Sequence, residues 1–203
     1  MLLNKFFLAV LSEFCLDYFA GLTGSQIAKR TNLNQKSVSS VLLSLEKMGI
    51  LKCATQGRNK VYSLNNWNSD LLINVLSATE LMRTYRFQKK HSLIRQVIKD
   101  IMPHCRGNSA IFGSYAKCTE KKDSDLDVLV VGAVNFEKIE EISETYSIDI
   151  NIQQFTRRNF KKALRNSDIL VKEVIKHHIF IKDAEGFVSL VMKYGQNKMV
   201  LGN

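Results

Sequence analysis

The sequence predicts an α+β protein with two domains. In the first part of the chain, apolar residues recur every three or four positions, which is the spacing of amphipathic helices. Later, apolar and polar residues alternate over 125–131 and 148–152, which is the spacing of strands. The cluster Trp-Asn-Ser-Asp at 67–70 interrupts the first pattern and offers residues that cap helices, so a boundary is expected there.

The charge of the chain is concentrated toward its N-terminus. The 203 residues carry 29 Lys and Arg against 19 Asp and Glu, a formal charge of +10. Residues 1–66 hold 8 basic and 3 acidic side chains, whereas residues 105–203 hold 15 and 13. The 45% of hydrophobic residues argues against a disordered, collagenous or coiled-coil chain. The basic excess therefore indicates a polyanionic partner for the first part of the chain.

Cysteine spacing and hydropathy exclude several other classes. The 4 cysteines form no C-x-x-C pair, and of the 4 histidines only 177 and 178 are close together, so no zinc spacing is present. Reduced thiols indicate a cytoplasmic protein. The apolar run 6–11 is too short for a signal peptide, and no stretch approaches the roughly 20 apolar residues of a membrane span, so no membrane partner is expected.

The first 66 residues predict helices followed by a hairpin. We expect an amphipathic helix over Phe6–Phe19, a short helix over Ser25–Thr31 capped by Thr23, and a longer helix over Gln35–Met48. Residues 50–64 indicate strand, turn and strand, with 56–59 as the loop. The polar face of the third helix has no acidic residue before Glu46, so it can approach phosphates without repulsion.

Residues 5–66 resemble the winged helix-turn-helix domains of bacterial and archaeal transcription regulators. The residues that carry the resemblance are Ile27, Ala28, Leu33, Val38, Leu42, Leu45 and the stretch EKMGIL at 46–51. The resemblance implies a DNA-binding domain over 1–66 whose third helix enters the major groove. The residues implied at the DNA are Gln35, Lys36, Ser39 and Ser40 on that helix and Arg58 and Lys60 in the wing. Alternatively, this domain is only a scaffold or a dimerisation module.

Residues 67–104 are expected to form a helical connector to a second domain at 105–203. Helical spacing runs over Leu71–Tyr85 and again over Leu93–Ile101, where Pro103 ends the second helix. Phe6–Phe19 and Leu71–Tyr85 offer more apolar area than one small core needs, and winged-helix regulators bind two half-sites as dimers. We therefore expect a homodimer.

The most informative stretch runs from Ala110 to Val131. Ten residues separate Gly113-Ser114 from Asp125, and because residues two apart on a strand share a face, Asp125 and Asp127 lie side by side. Two adjacent anions favour a hard divalent cation such as Mg²⁺ or Mn²⁺. A further strand offers Asp149, and Gly113-Ser114 at a helix start can seat phosphates. This set predicts phosphoryl or nucleotidyl transfer with two metal ions.

Other sites that use similar residues fit the sequence less well. Asp123, Asp125 and Asp127 imitate the start of a calcium loop, but Val128 and Val134 replace its glycine and its final glutamate. A D-x-D of sugar-nucleotide enzymes usually closes a strand, whereas this pair opens one. No G-x-x-x-x-G-K-[ST] is present, which excludes a P-loop. A solvated acidic turn is the remaining structural interpretation.

Residues 91–194 resemble the DNA polymerase β superfamily, in particular its minimal nucleotidyltransferases. The matching motifs are FGSYA at 112–116, SDLD at 124–127 and, by position, Asp149. The resemblance implies a mixed sheet flanked by helices, in which Asp125 and Asp127 bind both metals. It also implies that Asp149 helps to hold the catalytic metal and to activate the acceptor hydroxyl. Gly113 and Ser114 are implied to hold the triphosphate, and pyrophosphate leaves.

Two basic regions of the second domain have open interpretations. Many minimal members carry arginines after Gly-Ser, where this chain has Tyr115, Lys117 and Cys118. Either Lys117, Lys121 or Lys122 takes their place at the triphosphate, or these lysines are only solvated. A helix capped by Thr156 carries a stripe of basic residues, which is either a solvated face or a contact for nucleic acid or polyphosphate. His177 and His178 are expected to be structural.

Two functional hypotheses follow from the sequence. The first is a Mg²⁺-dependent nucleotidyltransferase that uses ATP or another NTP as substrate, transfers AMP to an unknown hydroxyl acceptor, and carries a DNA-binding winged helix. The second is a DNA-binding transcriptional regulator or antitoxin-like protein whose nucleotidyltransferase fold only binds a nucleotide or a protein partner. Three converging carboxylates favour the enzyme.

Overall fold

The computed structural model describes residues 4–65 and 69–195. The chain divides into two compact units, Met1–Thr79 and Glu80–Asn203. The predicted boundary at residues 66–67 lies outside the described residues. A helix over Ser69–Lys90, longer than the predicted Leu71–Tyr85, contains the division between the units.

The N-terminal unit combines helices with a small antiparallel sheet of order β1-β3-β2. Its elements are α1 (Lys5–Cys15), β1 (Leu22–Thr23), α2 (Gly24–Thr31), α3 (Gln35–Lys47), β2 (Leu51–Gln56) and β3 (Asn59–Leu64), followed by the start of α4 (Ser69–Lys90). Apolar residues of the three helices fill the core, among them Phe14, Ile27 and Leu45, which are fully buried. The amphipathic spacing therefore determines which helix faces turn inward.

Side-chain caps define where these helices begin. Thr23 and Gln26 form a reciprocal capping box at α2, and the Asn34 side chain accepts a hydrogen bond from the Ser37 amide at the start of α3. The first helix is shorter than the predicted Phe6–Phe19. It ends at Cys15 because the Asp17 carboxylate accepts a hydrogen bond from the Phe19 amide at 3.0 Å, which stabilises a turn instead.

The C-terminal unit is built on a mixed four-stranded sheet of order β6-β5-β4-β7. The strands β5 and β6 are parallel, and β4 pairs antiparallel with both β5 and β7. Its further elements are α5 (Ser92–Ile101), β4 (Cys105–Ile111), α6 (Gly113–Lys117), β5 (Leu126–Val134), α7 (Phe136–Tyr146), β6 (Ile150–Phe155), α8 (Arg157–Arg165), α9 (Ile169–Lys176), β7 (Ile179–Lys182) and α10 (Ala184–Tyr194). The predicted helix Leu93–Ile101 is thus confirmed as α5, and a 3-10 turn that contains Pro103 follows it.

Helices cover both faces of this sheet. Leu126, Val128 and Val130 point to one face, where they pack into a core with α5 and α7. Leu129 and Val131 are also buried, and strand alternation turns them to the opposite face. On that side α8 and α10 meet through Phe160 and Phe187, whose ring centroids are 5.3 Å apart. Because Asp127 alternates with Leu126 and Val128, it shares the face of Leu129.

A buried polar network joins α4 to the start of β7. The Nε2 atom of His178 lies 2.9 Å from Oε1 of Glu80, and both side chains are fully buried. Arg83 donates to the other carboxylate oxygen of Glu80 at 2.6 Å and to the carbonyl of His178 at 3.3 Å. The expected structural role of His178 agrees with this network, since a buried charge requires such partners. None of the helices in the described part of the chain is long and apolar enough to cross a membrane.

Candidate active site and candidate nucleic-acid surface

The predicted carboxylate pair lies at the beginning of β5. Asp125 immediately precedes the strand and is exposed, whereas Asp127 is its second residue and is half-buried. Burial raises the pKa of Asp127, and the negative charges of Asp125 and Glu173 raise it further, while a hydrogen bond from Asn151 and the charge of Lys117 act against them. The pair is therefore a place where a positive charge would be favourable.

Asp149 lies at the same edge of the sheet, immediately before the neighbouring strand β6. The amide of Leu126 donates to the carbonyl of Asp149 at 2.7 Å, and the parallel register pairs Leu126 with Ile150 and Asp127 with Asn151. This register puts Asp149 level with Asp125. Within residues 4–65 and 69–195, however, no three His, Cys, Asp or Glu side chains are gathered closely enough to hold one metal ion.

A cavity of about 370 Å³ opens beside these carboxylates. Its wall is partly polar, through Asp125, Asp149 and Asn151, and partly apolar, through residues of α7 and β6. The exposed ring of Phe136 stands at the start of α7 and also lines it. A mixed wall of this kind can accept a flat apolar group together with charged oxygens.

Gly113 lies directly against Asp127. The amide of Phe112 donates to the carbonyl of Asp127 at 3.0 Å, which extends the pairing of β4 and β5 to the edge of the sheet. Gly113 follows with a φ of +68°, and a Cβ at this position would overlap Oδ2 of Asp127. Only glycine satisfies both requirements without strain. The partly buried Ser114 is the next residue of α6, and its carbonyl accepts a hydrogen bond from the Thr119 amide.

Two residues at this edge were not named from the sequence. Asn151 donates to Oδ2 of Asp125 at 3.1 Å, and Glu173 on α9 pairs with Lys117 at 2.5 Å. Asn151 could have been found, because it lies two residues after Asp149, which immediately precedes β6, and side chains two residues apart along an extended chain share a face. Glu173 could not, since only the packing of α9 brings it near Asp127.

The three lysines considered for the triphosphate have different surroundings. Lys117 is paired with Glu173. Its positive charge also acts to lower the pKa of Asp127. Lys121 and Lys122 line a different cavity, together with His91 and Tyr115. Of the three, Lys117 is the one whose charge acts on Asp127.

The residues implied at DNA lie on the surface of the N-terminal unit. Gln35, Lys36, Ser39 and Ser40 are exposed on the first two turns of α3, and Arg58 and Lys60 are exposed at the hairpin turn and on β3. Gln35 donates to the hydroxyl of Ser25 at 3.0 Å, so it also ties α3 to α2. Among the described residues, no carboxylate lies within 4.0 Å of the cationic groups of Lys36, Arg58 or Lys60.

Comparison with known protein families finds a match within the C-terminal unit. Residues 91–181 match the family model described as "Nucleotidyltransferase domain". This span contains β4, β5 and β6, and β7 as far as Ile181. It also contains Gly113, Ser114 and the three aspartates Asp125, Asp127 and Asp149. The matched span begins at His91, before α5. No curated protein matches the chain.

Two solved structures show low similarity. One is described as the crystal structure of a toxin-antitoxin with AMP-PNP, at 17% identity and a TM-score of 0.34, covering 50% of this chain and 82% of that one. The other is TrmBL2, an archaeal chromatin protein described as showing a novel mode of DNA binding. It has 16% sequence identity and a TM-score of 0.29, and the match covers 79% of this chain and 66% of that one. TM-scores this low carry no argument about this chain.

Proposed function

We propose that the chain is a divalent-metal-dependent nucleotidyltransferase that transfers AMP from ATP to a hydroxyl acceptor. The observation that carries the proposal is the strand register, which puts Asp149 level with Asp125 beside Asp127, within a region that matches the nucleotidyltransferase domain. Carboxylate oxygens are the donors that Mg²⁺ and Mn²⁺ prefer.

The donor set is consistent with a divalent cation at the carboxylate pair. Asp125 and Asp127 present oxygens on one face, and their mutual repulsion contributes to the raised pKa of Asp127. We propose that these two residues hold the metal and that Asp149 completes the set. When bound, the metal would neutralise negative charge on the phosphates.

The residues of the chain then have distinct roles. Gly113 and Ser114 would hold the triphosphate next to Asp127, because the absence of a side chain at Gly113 allows close approach. The exposed Asp149 would accept the proton of the acceptor hydroxyl. The acceptor oxygen forms a bond to the α-phosphorus, the bond from that phosphorus to the bridging oxygen breaks, and pyrophosphate leaves.

Label transfer tests this proposal. The purified full chain is incubated with Mg²⁺ and each of the four ribonucleoside triphosphates labelled at the α-phosphate, with protein, RNA and DNA acceptors. We expect transfer of label from ATP, and Asp125→Asn should lower the rate at least about 100-fold. Asp123→Asn is the matched control, since Asp123 is exposed in the preceding turn. Equal rates for both variants, or no transfer by the wild type, would reject the enzyme.

We also propose that the N-terminal unit is a winged helix that binds DNA, as expected for residues 1–66. The exposed cations of α3 and of the hairpin, with no described carboxylate near them, support this proposal. Duplex binding should weaken with salt, and the slope of log K against log salt should fall by about 0.9 for each phosphate that a variant no longer neutralises. The double variant Lys36→Gln/Arg58→Gln should lose its contacts with up to two phosphates, so its salt slope should be smaller. The double variant Lys29→Gln/Lys47→Gln removes the same charge and is the control, and its salt slope should equal that of the wild type.

The second candidate function is a DNA-binding regulator or antitoxin-like protein in which the nucleotidyltransferase domain only binds nucleotide or a protein partner. The exposed cations Lys36, Arg58 and Lys60 of the N-terminal unit favour this second function as well. It requires that Asp125→Asn leave duplex binding unchanged and that no label be transferred. Transfer of label by the wild type, with loss in Asp125→Asn, would exclude it as the sole function.

A further inference from the structure

The helix α8 presents a concentrated basic surface. It carries five cations and no acidic residue, and the buried side chains of Phe160 and Leu164 fix its opposite face to the protein. The cations are Arg157, Arg158, Lys161, Lys162 and Arg165. Across residues 4–65 and 69–195, no carboxylate comes within 4.0 Å of any of them. Among the described side chains, no nearby negative charge therefore compensates the mutual repulsion of these five cations.

Two of these cations lie close to the ring of Tyr194, the last residue of α10. Lys161 Nζ lies 4.8 Å from the ring centroid of Tyr194, Arg165 Cζ lies 5.1 Å from it, and Lys193 Nζ lies 5.8 Å from it. Cations at these distances are attracted to the negative face of the ring. A hydrogen bond with Lys161 lowers the pKa of the Tyr194 hydroxyl, and the neighbouring positive charges act in the same direction.

The topology places α8 and α10 on one face of the sheet. The strand β6 leads away from Asp149, and α8, which follows it, begins at the opposite end of the sheet. In the same way β7 begins beside Ile111, near Gly113, and α10 follows the other end of β7. The two helices meet through Phe160 and Phe187. Because Asp127 shares the face of Leu129, the cluster lies on the same face of the sheet as Asp127.

We propose that Lys161, Arg165, Lys193 and Tyr194 form a binding surface for single-stranded nucleic acid, whose terminal hydroxyl is the acceptor of the transferase. A positively charged surface that includes an aromatic ring is the combination that binds single strands without sequence preference. The cations contact backbone phosphates, and the ring supplies a face on which a base stacks. The acceptor role rests on the proposed function, whereas binding itself does not.

Binding is measured with the full chain and labelled single-stranded RNA and DNA by fluorescence anisotropy at several salt concentrations. Lys161→Gln/Arg165→Gln should bind about tenfold more weakly, and its slope of log K against log salt should fall by about 0.7 for each phosphate that it no longer neutralises. The matched control is Arg95→Gln/Lys99→Gln, which removes the same charge from exposed positions on α5, across the sheet. Thermal unfolding verifies that each variant is folded.

The ring is tested separately. Tyr194→Ala should weaken binding about tenfold because the base can no longer stack, and Tyr194→Phe should bind as the wild type does. Comparison of RNA with DNA distinguishes the two sources of a terminal hydroxyl. Equal binding by the Lys161/Arg165 variant and its control would overturn the proposal. Equally tight binding of the wild type to vesicles that contain phosphatidylserine would also overturn it, because the surface would then attract any anion.

The same variants separate this proposal from the proposed function. If the single strand binds through Lys161 and Arg165 but no acceptor is labelled, the transferase proposal fails and the binding surface stands. If the enzyme labels only protein acceptors at an unchanged rate in the Lys161/Arg165 variant, the acceptor part of this inference is wrong. Loss of label on the oligonucleotide in that variant, with normal affinity for ATP when no oligonucleotide is present, supports it.

Discussion

The two units of this protein use charge in opposite ways. In the N-terminal unit, the cations implied at DNA stand on the surface over an apolar core. In the C-terminal unit, carboxylates are buried, since Asp127 is half-buried and Glu80 is fully buried. Surface charge contributes little to stability and is available to partners, whereas buried charge must be compensated inside. Substitutions in the two units should therefore differ in stability cost.

The largest effect on stability is expected at Glu80. Glu80→Ala leaves Arg83 and the buried His178 without the carboxylate that they contact, which should lower the free energy of unfolding by about 3–5 kcal/mol. Urea unfolding measures this change. Glu141→Ala is the control, because it breaks an exposed pair with Lys138 and should cost less than about 1 kcal/mol. Similar costs for both substitutions would contradict the distinction between buried and exposed charge.

Two glycines offer the next comparison. Gly57 in the hairpin and Gly113 beside Asp127 have φ values of +59° and +68°, so alanine should cost about 1–2 kcal/mol at either from backbone strain alone. A Cβ at Gly57 meets nothing within 4 Å, whereas at Gly113 it overlaps the Asp127 carboxylate. Gly113→Ala should therefore cost more in urea unfolding and should also displace Asp127 and abolish label transfer. Equal costs, with full activity in Gly113→Ala, would show that the close approach of Gly113 to Asp127 is unimportant.

The pH dependence of stability should reveal the raised pKa of the Asp127 carboxyl. Its pKa is raised above the ordinary value of 3.8, mainly by burial, so ionisation of Asp127 costs more free energy in the folded state than in the unfolded state. Asp127→Asn should therefore raise the Tm at neutral pH. The gain should fade as the pH falls through the pKa of the folded state, because the wild type then becomes protonated as well.

Asp123→Asn serves as the reference for this experiment, since Asp123 is exposed and should leave the pH profile of the Tm unchanged. A neutral-pH Tm that falls in Asp127→Asn would show instead that the fold stabilises the ionised form of Asp127. Addition of Mg²⁺ should raise the Tm of the wild type and not that of Asp127→Asn.

The smallest effect is expected at the surface of the N-terminal unit. Lys36→Gln and Arg58→Gln should each change the free energy of unfolding by less than about 0.5 kcal/mol, because both side chains are exposed. Chemical denaturation of the same samples that are used for duplex binding measures this. A loss of stability above that range would mean that these cations hold the fold together rather than serve a partner.

Local patterns predicted most of the elements, and long-range packing supplied the rest. Helical spacing and caps anticipated α2, α3, α5 and α8, while alternation anticipated β5, although Asp125 lies one residue before that strand. The early end of α1 depends on the turn at Asp17, which apolar spacing does not reveal. The helices α7 and α9 had no sequence prediction.

The candidate site was predictable only where its residues are close in sequence. Asp125, Asp127 and Gly113 belong to two short motifs, and the structure places all three at one edge. The pairing of β5 with β6 aligns Asn151 with Asp127, and this alignment depends on a strand register that the sequence does not display. Glu173 and Tyr194 reach their positions through helix packing, which joins residues far apart in the chain.

The most direct test of the proposed transferase centre is a crystal structure with Mn²⁺ and a non-hydrolysable ATP analogue. We expect anomalous peaks for Mn²⁺ at Asp125 and Asp127, with the triphosphate beside Gly113 and Ser114. The same crystals of Asp127→Asn should lose the metal. Nucleotide bound only at Lys161 and Arg165, or an Asp125/Asp127 pair that takes no Mn²⁺ while the nucleotide is bound, would contradict the assignment of a transferase centre to these aspartates.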